Sequence, residues 1–443
     1  MSSEALKTQE RWSLNTTQSA AVEHCLRNAH TLLVADKGAG KTRTGLAVAA
    51  ESGGRVLILC PNKVRGGWVA EGRKLGVEVT LVEGDPQTRQ DILKRGGIRV
   101  MGVDLIKWLA DTYKTLPCDG LILDETTRFS SPGSVGVKKL RSRVKGLDWT
   151  LGLTASPVME DPMSLYGQSL VLDGGQALGR SFDRFKQQYF IKMDYMGYDW
   201  QLRPGGAEDL AQAVAELVYV MEDAAYAEGL VPLVEEVIEV AVPPHVWQFY
   251  QEIAEELAIE LNGGEIEAAN LAVVSGKLEQ LTQGAVYDQQ QAAHWVHFAK
   301  MDMLASLLDG DEDEPTIVVY QFKYELEELQ QRFPWGRDLK YPGALDAFTD
   351  GDLNLLFMHP KSGSHGINAQ ARCCEMICLK PIWSADAWDQ VIGRIRRRGQ
   401  VRECRRRTLI VRGSIDDLIL DRLAEKEQAG VSLLDHIRAK AQK

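Results

Sequence analysis

Thr31-Leu-Leu-Val-Ala-Asp-Lys-Gly-Ala-Gly-Lys-Thr42 is the stretch on which the fold of this chain turns. An apolar run of strand length enters a loop of small residues, and the Ala-rich stretch from Thr44 to Ala50 continues as a helix. Strand, glycine turn and helix in that order let backbone N–H groups curl around an anion, with the helix dipole behind them. Ala35, Asp36, Lys37, Gly38, Ala39, Gly40, Lys41 and Thr42 are therefore candidate phosphate-binding residues. Lys41 is suited to neutralise the outer phosphates of ATP, and the Thr42 hydroxyl to ligate Mg²⁺.

Outward from this loop the same rhythm recurs. Residues 31–35, 55–60, 98–103, 120–124 and 149–154 are short and aliphatic, with helix-prone sequence between several of them. Strands apolar on both faces belong to a parallel sheet covered on both sides, a doubly wound α/β domain. From about Met159 to Gly229 the strand rhythm stops. Phe182, Phe185 and Tyr189 follow helical spacing, as do residues 207–220, which predicts a mainly helical insertion. A second strand series occupies residues 234–242, 316–320, 353–357, 375–379 and 408–411. The predicted organisation is a first α/β domain over 1–158, a helical junction belonging to it over 159–232, and a second α/β domain over 233–443. Ile415, Leu418, Ile419 and Leu423 line one face of a packed closing helix over 414–437.

Composition bounds the rest. A chain of 443 residues exceeds one ordinary core and fits two or three domains. Its apolar runs are strand-length, so none reads as a membrane span. The start, Met1-Ser-Ser-Glu-Ala-Leu-Lys7, lacks a basic-then-apolar leader, and the seven cysteines follow no regular spacing. Reduced thiols in a cytoplasm are the expectation. A net charge of −11 argues against a nucleic-acid partner at first sight. Distribution says otherwise: between Ile392 and Arg412 the arginines 394, 396, 397, 398, 402, 405, 406, 407 and 412 face only Glu403. The acidic run Asp309-Gly-Asp-Glu-Asp-Glu314 reads as a solvated loop.

Further chemistry is distributed along the chain. Asp124-Glu125 closes an apolar strand, where Asp124 can hold the metal through water and Glu125 can orient or deprotonate an attacking water. Gln18, upstream of the loop, has an amide fit to read an adenine edge. Leu153-Thr-Ala-Ser-Pro157 ends another strand with two hydroxyls suited to passing on the state of the terminal phosphate. In the second half, Arg394 and Arg397 lie three apart, the spacing of one helical face, and Gln390 precedes them by one turn. Guanidinium groups stabilise charge spread over a transferring phosphoryl group. Arg396, Arg398 and Arg402 face elsewhere and suit a phosphate backbone. Lys361-Ser-Gly-Ser-His-Gly-Ile-Asn-Ala-Gln370 is a glycine and hydroxyl loop, with Ser362, Ser364 and Gly366, able to touch nucleotide and nucleic acid without reading sequence.

Taken in order, these segments resemble the superfamily 2 helicases and, among them, the Snf2 family of DNA translocases. Residues 35–42 are similar to motif I, with Gln18 at the Q-motif position. Leu57-Ile-Leu-Cys-Pro61 with Trp68 and Glu71 resembles motif Ia, Leu121-Ile-Leu-Asp-Glu-Thr-Thr-Arg-Phe129 motif II, and Leu151-Gly-Leu-Thr-Ala-Ser-Pro157 motif III. Val318-Val-Tyr-Gln-Phe322 stands as motif IV, residues 362–370 as motif V and 390–400 as motif VI. The resemblance implies two RecA-like domains in tandem, ATP and Mg²⁺ as cofactors, and an enzyme that hydrolyses ATP while tracking along double-stranded DNA, plain, forked or branched. It implies Lys41, Asp124, Glu125, Arg394 and Arg397 as catalytic residues. Gln390 and Gly366 join the ATP-binding set, and Lys63, Trp68 and Thr154 join the nucleic-acid contacts. It also implies a compact monomeric member of bacterial or viral type, acting in the cytoplasm of a bacterium or an infected host. Thr127 departs from the pattern, standing where the family usually has a histidine that couples hydrolysis to motion.

Other signals are weaker. Cys373, Cys374 and Cys378, with Cys404, match no paired zinc spacing. His294 and His297 lack a third ligand and read as helical surface or core. Two rival functions fit fewer residues: a fork- or junction-unwinding helicase, and a nucleotide-switched scaffold with little turnover, against which Glu125 and the two arginines speak.

Overall fold

The computed structural model describes residues 11–158, 161–193, 200–222, 229–263, 268–310, 313–363 and 369–441; for 256–263, 268–272, 362–363 and 440–441 only the course of the main chain is described. The chain forms two units, Met1–Glu228 with Lys426–Lys443, and Gly229–Glu425.

The first unit is built on a parallel sheet. Its strands are β1 (His30–Val34), β2 (Arg55–Cys60), β3 (Val79–Leu81), β4 (Gly97–Gly102), β5 (Gly120–Asp124) and β6 (Trp149–Thr154). A small antiparallel hairpin, β7 (Phe190–Lys192) and β8 (Trp200–Leu202), stands apart, and β9 (Val218–Val220) returns to the sheet. The order is β3-β4-β2-β5-β6-β1-β9, every pair parallel. Successive side chains of a strand point to opposite faces. Leu32, Val34, Leu57, Leu59, Leu121 and Leu123 accordingly enter one core, while Leu33, Val56, Ile58, Ile122, Leu151 and Leu153 enter the other. Both faces are buried, which is why the strands read as unbroken apolar runs.

The segment after β6 holds the expected helices, Ser164–Leu172, Phe182–Tyr189 and Gly206–Val214. Residues 218–220 were expected to be helical and instead form β9 beside β1. The β-branched and aromatic trio Val218, Tyr219, Val220 suits a pleated edge, and Met221 N–H completes the ladder on the Val34 carbonyl at 2.8 Å.

The second unit carries β10 (Leu233–Glu239), the antiparallel hairpin β11 (Ala285–Tyr287) and β12 (Ala293–Trp295), and then β13 (Thr316–Val319), β14 (Arg337–Asp338), β15 (Leu355–Met358), β16 (Glu375–Cys378) and β17 (Cys404–Ile410). Its main sheet runs β10-β17-β16-β13-β15-β14, again all parallel. Ile317, Val319, Leu356, Met358 and Met376 fill one face, and Val318, Leu355, Phe357, Ile377 and Leu409 the other. The fold class is therefore α/β with two parallel sheets and interspersed helices.

The closing helix spans Ile415–Ala441. The sequence assigned it whole to the second domain, but residues from Lys426 onward group with the first unit, where Leu433 and Ile437 are fully buried. Among the described residues no helix is long and apolar enough to cross a membrane.

Candidate nucleotide site

β1 and β5 end at the same edge of the first sheet with β6 between them, the edge where open α/β sheets place ligands. After β1 the chain turns through Gly38 and Gly40, both at φ +91°, a left-handed conformation that glycine adopts without penalty. Gly40 is also the N-cap of the helix Lys41–Ser52, and no side chain caps that helix. Its first N–H groups and its dipole are thereby directed at the loop. Lys41 Nζ donates to the carbonyls of Ala35 at 2.6 Å and Asp36 at 3.0 Å. Burial pushes its pKa down, while Glu125 and Asp124 oppose that shift. Lysine and carboxylates thus share one electrostatic neighbourhood, and Thr42 follows directly on the helix.

Asp124 sits at the end of β5. Burial, and next the charge of Glu125, push its carboxyl up to about 6; a hydrogen bond from Trp68 and the charge of Lys41 pull the other way. Glu125 takes φ +56°, ψ +62°, unusual for a residue with a side chain and found mainly where function holds the backbone.

Three residues expected at ligands are engaged within the first unit. Trp68, expected at nucleic acid, is 1% exposed. Its indole N–H donates to Asp124 Oδ2 at 2.9 Å, and its ring lies against Gly45 of the helix Lys41–Ser52. A ring sealed between helix and sheet braces the site and has no face left for a base. Trp68 belongs to the helix Arg65–Lys74, whose Glu71 pairs with Arg43 of the helix Lys41–Ser52 at 2.7 Å. Thr154, also expected at nucleic acid, is buried at the end of β6, where its carbonyl accepts from Ala35 N–H at 3.0 Å. Gln18, expected at adenine, spends its amide internally. Its Oε1 accepts from Asn15 N–H at 3.0 Å and its Nε2 donates to the Ala39 carbonyl at 2.9 Å. The same side chain completes the capping box of helix Thr16–Arg27, and a methyl group on Gly40 would overlap it. Lys63 stays exposed after β2.

In the second unit, helix Ala385–Ile392 carries Gln390, whose Nε2 donates to Asp386 Oδ2 at 2.6 Å. The helix ends there. Arg394 and Arg397 lie in the turns beyond Gly393, not on a helical face. Ile395 N–H bonds the Ile392 carbonyl, and Gln400 N–H the Arg397 carbonyl, three residues back. Arg394 is buried, Arg397 half-buried and Arg398 exposed.

The basic run is less bare than the sequence implies. Arg396 Nε donates to the Val231 carbonyl at 3.0 Å. Arg402, expected at nucleic acid, is engaged by Glu314 at 2.7 Å and by the Arg372 carbonyl. Parallel pairing of β10 with β17 sets Glu235 against Arg406 and Glu236 against Arg407. Glu236 also reaches Arg405 at 3.5 Å, and Glu239 reaches Arg412 at 2.7 Å. The acidic run contributes too, since Glu314 belongs to it. Ser364 and Gly366 lie outside the described residues, as does the side chain of Ser362.

His294 and His297 belong to the β11–β12 hairpin region, not to a helix. His294 meets Asp288 at 2.8 Å, and buried His297 meets the Leu281 carbonyl at 2.8 Å. The cysteines among the described residues are all buried and unbridged. Sequence reasoning passed over Gln168, a fully buried amide in the otherwise small and apolar helix Ser164–Leu172. The signal was available: a lone amide inside an unbroken buried run needs partners.

No family model matches the chain. Putative protein p41 of Acyrthosiphon pisum secondary endosymbiont phage 1 is 28% identical over 452 residues, covering 96% of this chain and 98% of that protein. Among solved structures, the Sulfolobus solfataricus SWI2/SNF2 ATPase core in complex with dsDNA has 17% identity and a TM-score of 0.41, covering 93% of this chain and 90% of that one.

Proposed function

We propose that the chain is a DNA-dependent ATPase that converts ATP hydrolysis into movement along double-stranded DNA. The observation that carries the ATP half is the meeting, in the first unit, of an uncapped P-loop helix, Lys41 and the Asp124-Glu125 strand end. The donor set fits a nucleoside triphosphate with Mg²⁺. Loop amides and Lys41 suit phosphate oxygens, while the Thr42 hydroxyl and the Asp124 carboxylate suit a hard cation. Bound Mg²⁺ supplies charge neutralisation on the phosphate oxygens. Around it Lys41 holds the outer phosphates, Trp68 holds Asp124 in its ionised form, and Glu125 takes up the proton of the attacking water.

The DNA half rests on the ordered motifs of the sequence, which support a Snf2-like engine. On that resemblance Arg394 and Arg397 are assigned the arginine fingers, and Gln390 a nucleotide contact. Lys63, Arg398 and the 361–370 loop are assigned the phosphate backbone.

Steady-state ATP turnover measured without nucleic acid and with duplex, single-stranded, forked and RNA substrates tests the proposal. Duplex DNA is expected to stimulate most. Stimulation by forks or RNA alone would overturn the duplex assignment, and turnover indifferent to every nucleic acid would overturn the motor.

A further inference from the structure

The strained turn at Glu125 is held from behind by a closed polar network. The next residue, Thr126, is fully buried, and its hydroxyl donates to Gln168 Oε1 at 2.7 Å. Gln168 Nε2 in turn donates to the Pro157 carbonyl at 2.7 Å and the Ser164 carbonyl at 3.2 Å. Ser164 Oγ donates to the same Pro157 oxygen at 2.5 Å. The donor logic admits one arrangement. Two carbonyls require the NH₂ end of the amide, which leaves only Oε1 for the hydroxyl, so Thr126 is the donor.

The surrounding backbone makes room for this contact. A methyl group on Gly152 of β6 would come to 2.8 Å from Thr126 Cγ2, and one on Gly167 would overlap the carbonyls of Phe129 and Ser130. Helix Ser164–Leu172 therefore lies against the turn Thr126–Phe129 with no slack. Pro157 is fixed in turn, since Val158 is fully buried and packs beside Gly430 of the closing helix.

We infer that Thr126 and Gln168 are positioning residues for Glu125, setting the backbone angle that aims its carboxylate. A buried hydroxyl and amide are a costly way to fill this space, and an apolar pair of similar shape would fill it equally well. What the pair adds is direction: it fixes the residue after Glu125 against the end of the neighbouring strand. This inference rests on the role proposed for Glu125 in ATP turnover.

The test uses the full-length protein with saturating duplex DNA. Thr126→Val and Gln168→Leu are expected to lower kcat at least tenfold while KM for ATP and duplex affinity stay within about twofold. Thr126→Ser keeps the donor and is expected to restore kcat to within about twofold of the parent. The double variant Thr126→Val with Gln168→Leu is expected to be no slower than the worse single one, as befits one shared interaction. Thermal melting of each variant is recorded alongside. Unchanged kcat in both single variants, multiplied losses in the double one, or a Thr126→Ser as slow as Thr126→Val would overturn the positioning role. Glu125→Gln separates the two levels. If it abolishes turnover while Thr126→Val and Gln168→Leu do not slow it, only the positioning role fails. If it turns over normally, the role of Glu125 fails and the inference with it.

Discussion

Trp68 donates its indole N–H to Asp124 across 2.9 Å from the core of the first unit. A hydrogen bond to a charged acceptor contributes roughly 1.5–3 kcal/mol, here toward keeping Asp124 ionised against the burial that pushes its carboxyl to about 6. Trp68→Phe keeps an aromatic ring in the core, gives up the outer edge that meets Gly45, and removes the donor. Half-saturation by Mg²⁺ in the ATPase assay is expected to rise roughly tenfold, with duplex affinity unchanged. Weaker DNA binding with an unaltered Mg²⁺ requirement would return Trp68 to the nucleic-acid interface.

Gln18 separates bracing from reading. Its amide is bonded at both ends to main chain, at Asn15 and Ala39. Gln18→Ala removes two neutral hydrogen bonds of about 1 kcal/mol each, so KM for ATP is expected to rise several-fold and KM for GTP to rise by the same factor. A variant that loses its preference for ATP over GTP would show that Gln18 reads the base.

Arg402 is tied to Glu314 and to the Arg372 carbonyl, which leaves its charge less available to a phosphate. Arg398, exposed like Arg402, lies in the turn before Gly399 and is the one assigned to the phosphate backbone above. Each phosphate contact contributes about 0.9 to the slope of log affinity against log salt on duplex DNA. Arg398→Ala is expected to reduce that slope by about one unit and Arg402→Ala to leave it alone, as filter binding over a salt series would record. Equal changes in both would mean that the Glu314 pair opens on DNA.

Glu325 gives the second unit a pH signature. Fully buried, it accepts from Gln321 N–H at 2.7 Å and Phe322 N–H at 2.8 Å. Burial nonetheless pushes its carboxyl up from 4.5 to about 7, and nearby Lys300 only partly offsets this. Between those values the folded protein holds a proton that the unfolded chain has released. Stability contributed by this group is therefore present at low pH and lost as pH rises through the window. Glu325→Gln removes the titration. The stability difference between parent and variant is expected to shift against the parent by up to ~3 kcal/mol from pH 4.5 to 7.5, measured by urea denaturation. A difference constant with pH would contradict the assignment.

The alternation of Leu32 and Val34 with Leu33 cannot be seen in a sequence as two faces, yet an unbroken apolar run announces that both are buried. The parallel sheets were legible for that reason. The strand at Val218 was not, because three residues at a sheet edge carry too little periodicity to compete with the helical pattern before them. In the candidate site, the places of Lys41 at a helix start after β1 and of Asp124 at the end of β5 were legible in the strand, turn and helix order. The role of Trp68 was not, because whether an aromatic ring faces solvent or the next helix depends on Gly45, whose missing side chain makes the space. The pairing of the arginine cluster was hidden in the same way. Arg406 and Arg407 meet counter-charges on β10, adjacent in the sheet and some 170 residues away in sequence, and Arg402 meets Glu314.

The central claim is movement along an intact duplex driven by ATP, and a triplex-displacement assay run beside a strand-separation assay tests it most directly. With ATP and Mg²⁺ the parent protein is expected to release the third strand while the two duplex strands stay paired, and Lys41→Ala to release nothing. ATP hydrolysed without release of the third strand, or release by Lys41→Ala at the parental rate, would contradict the account.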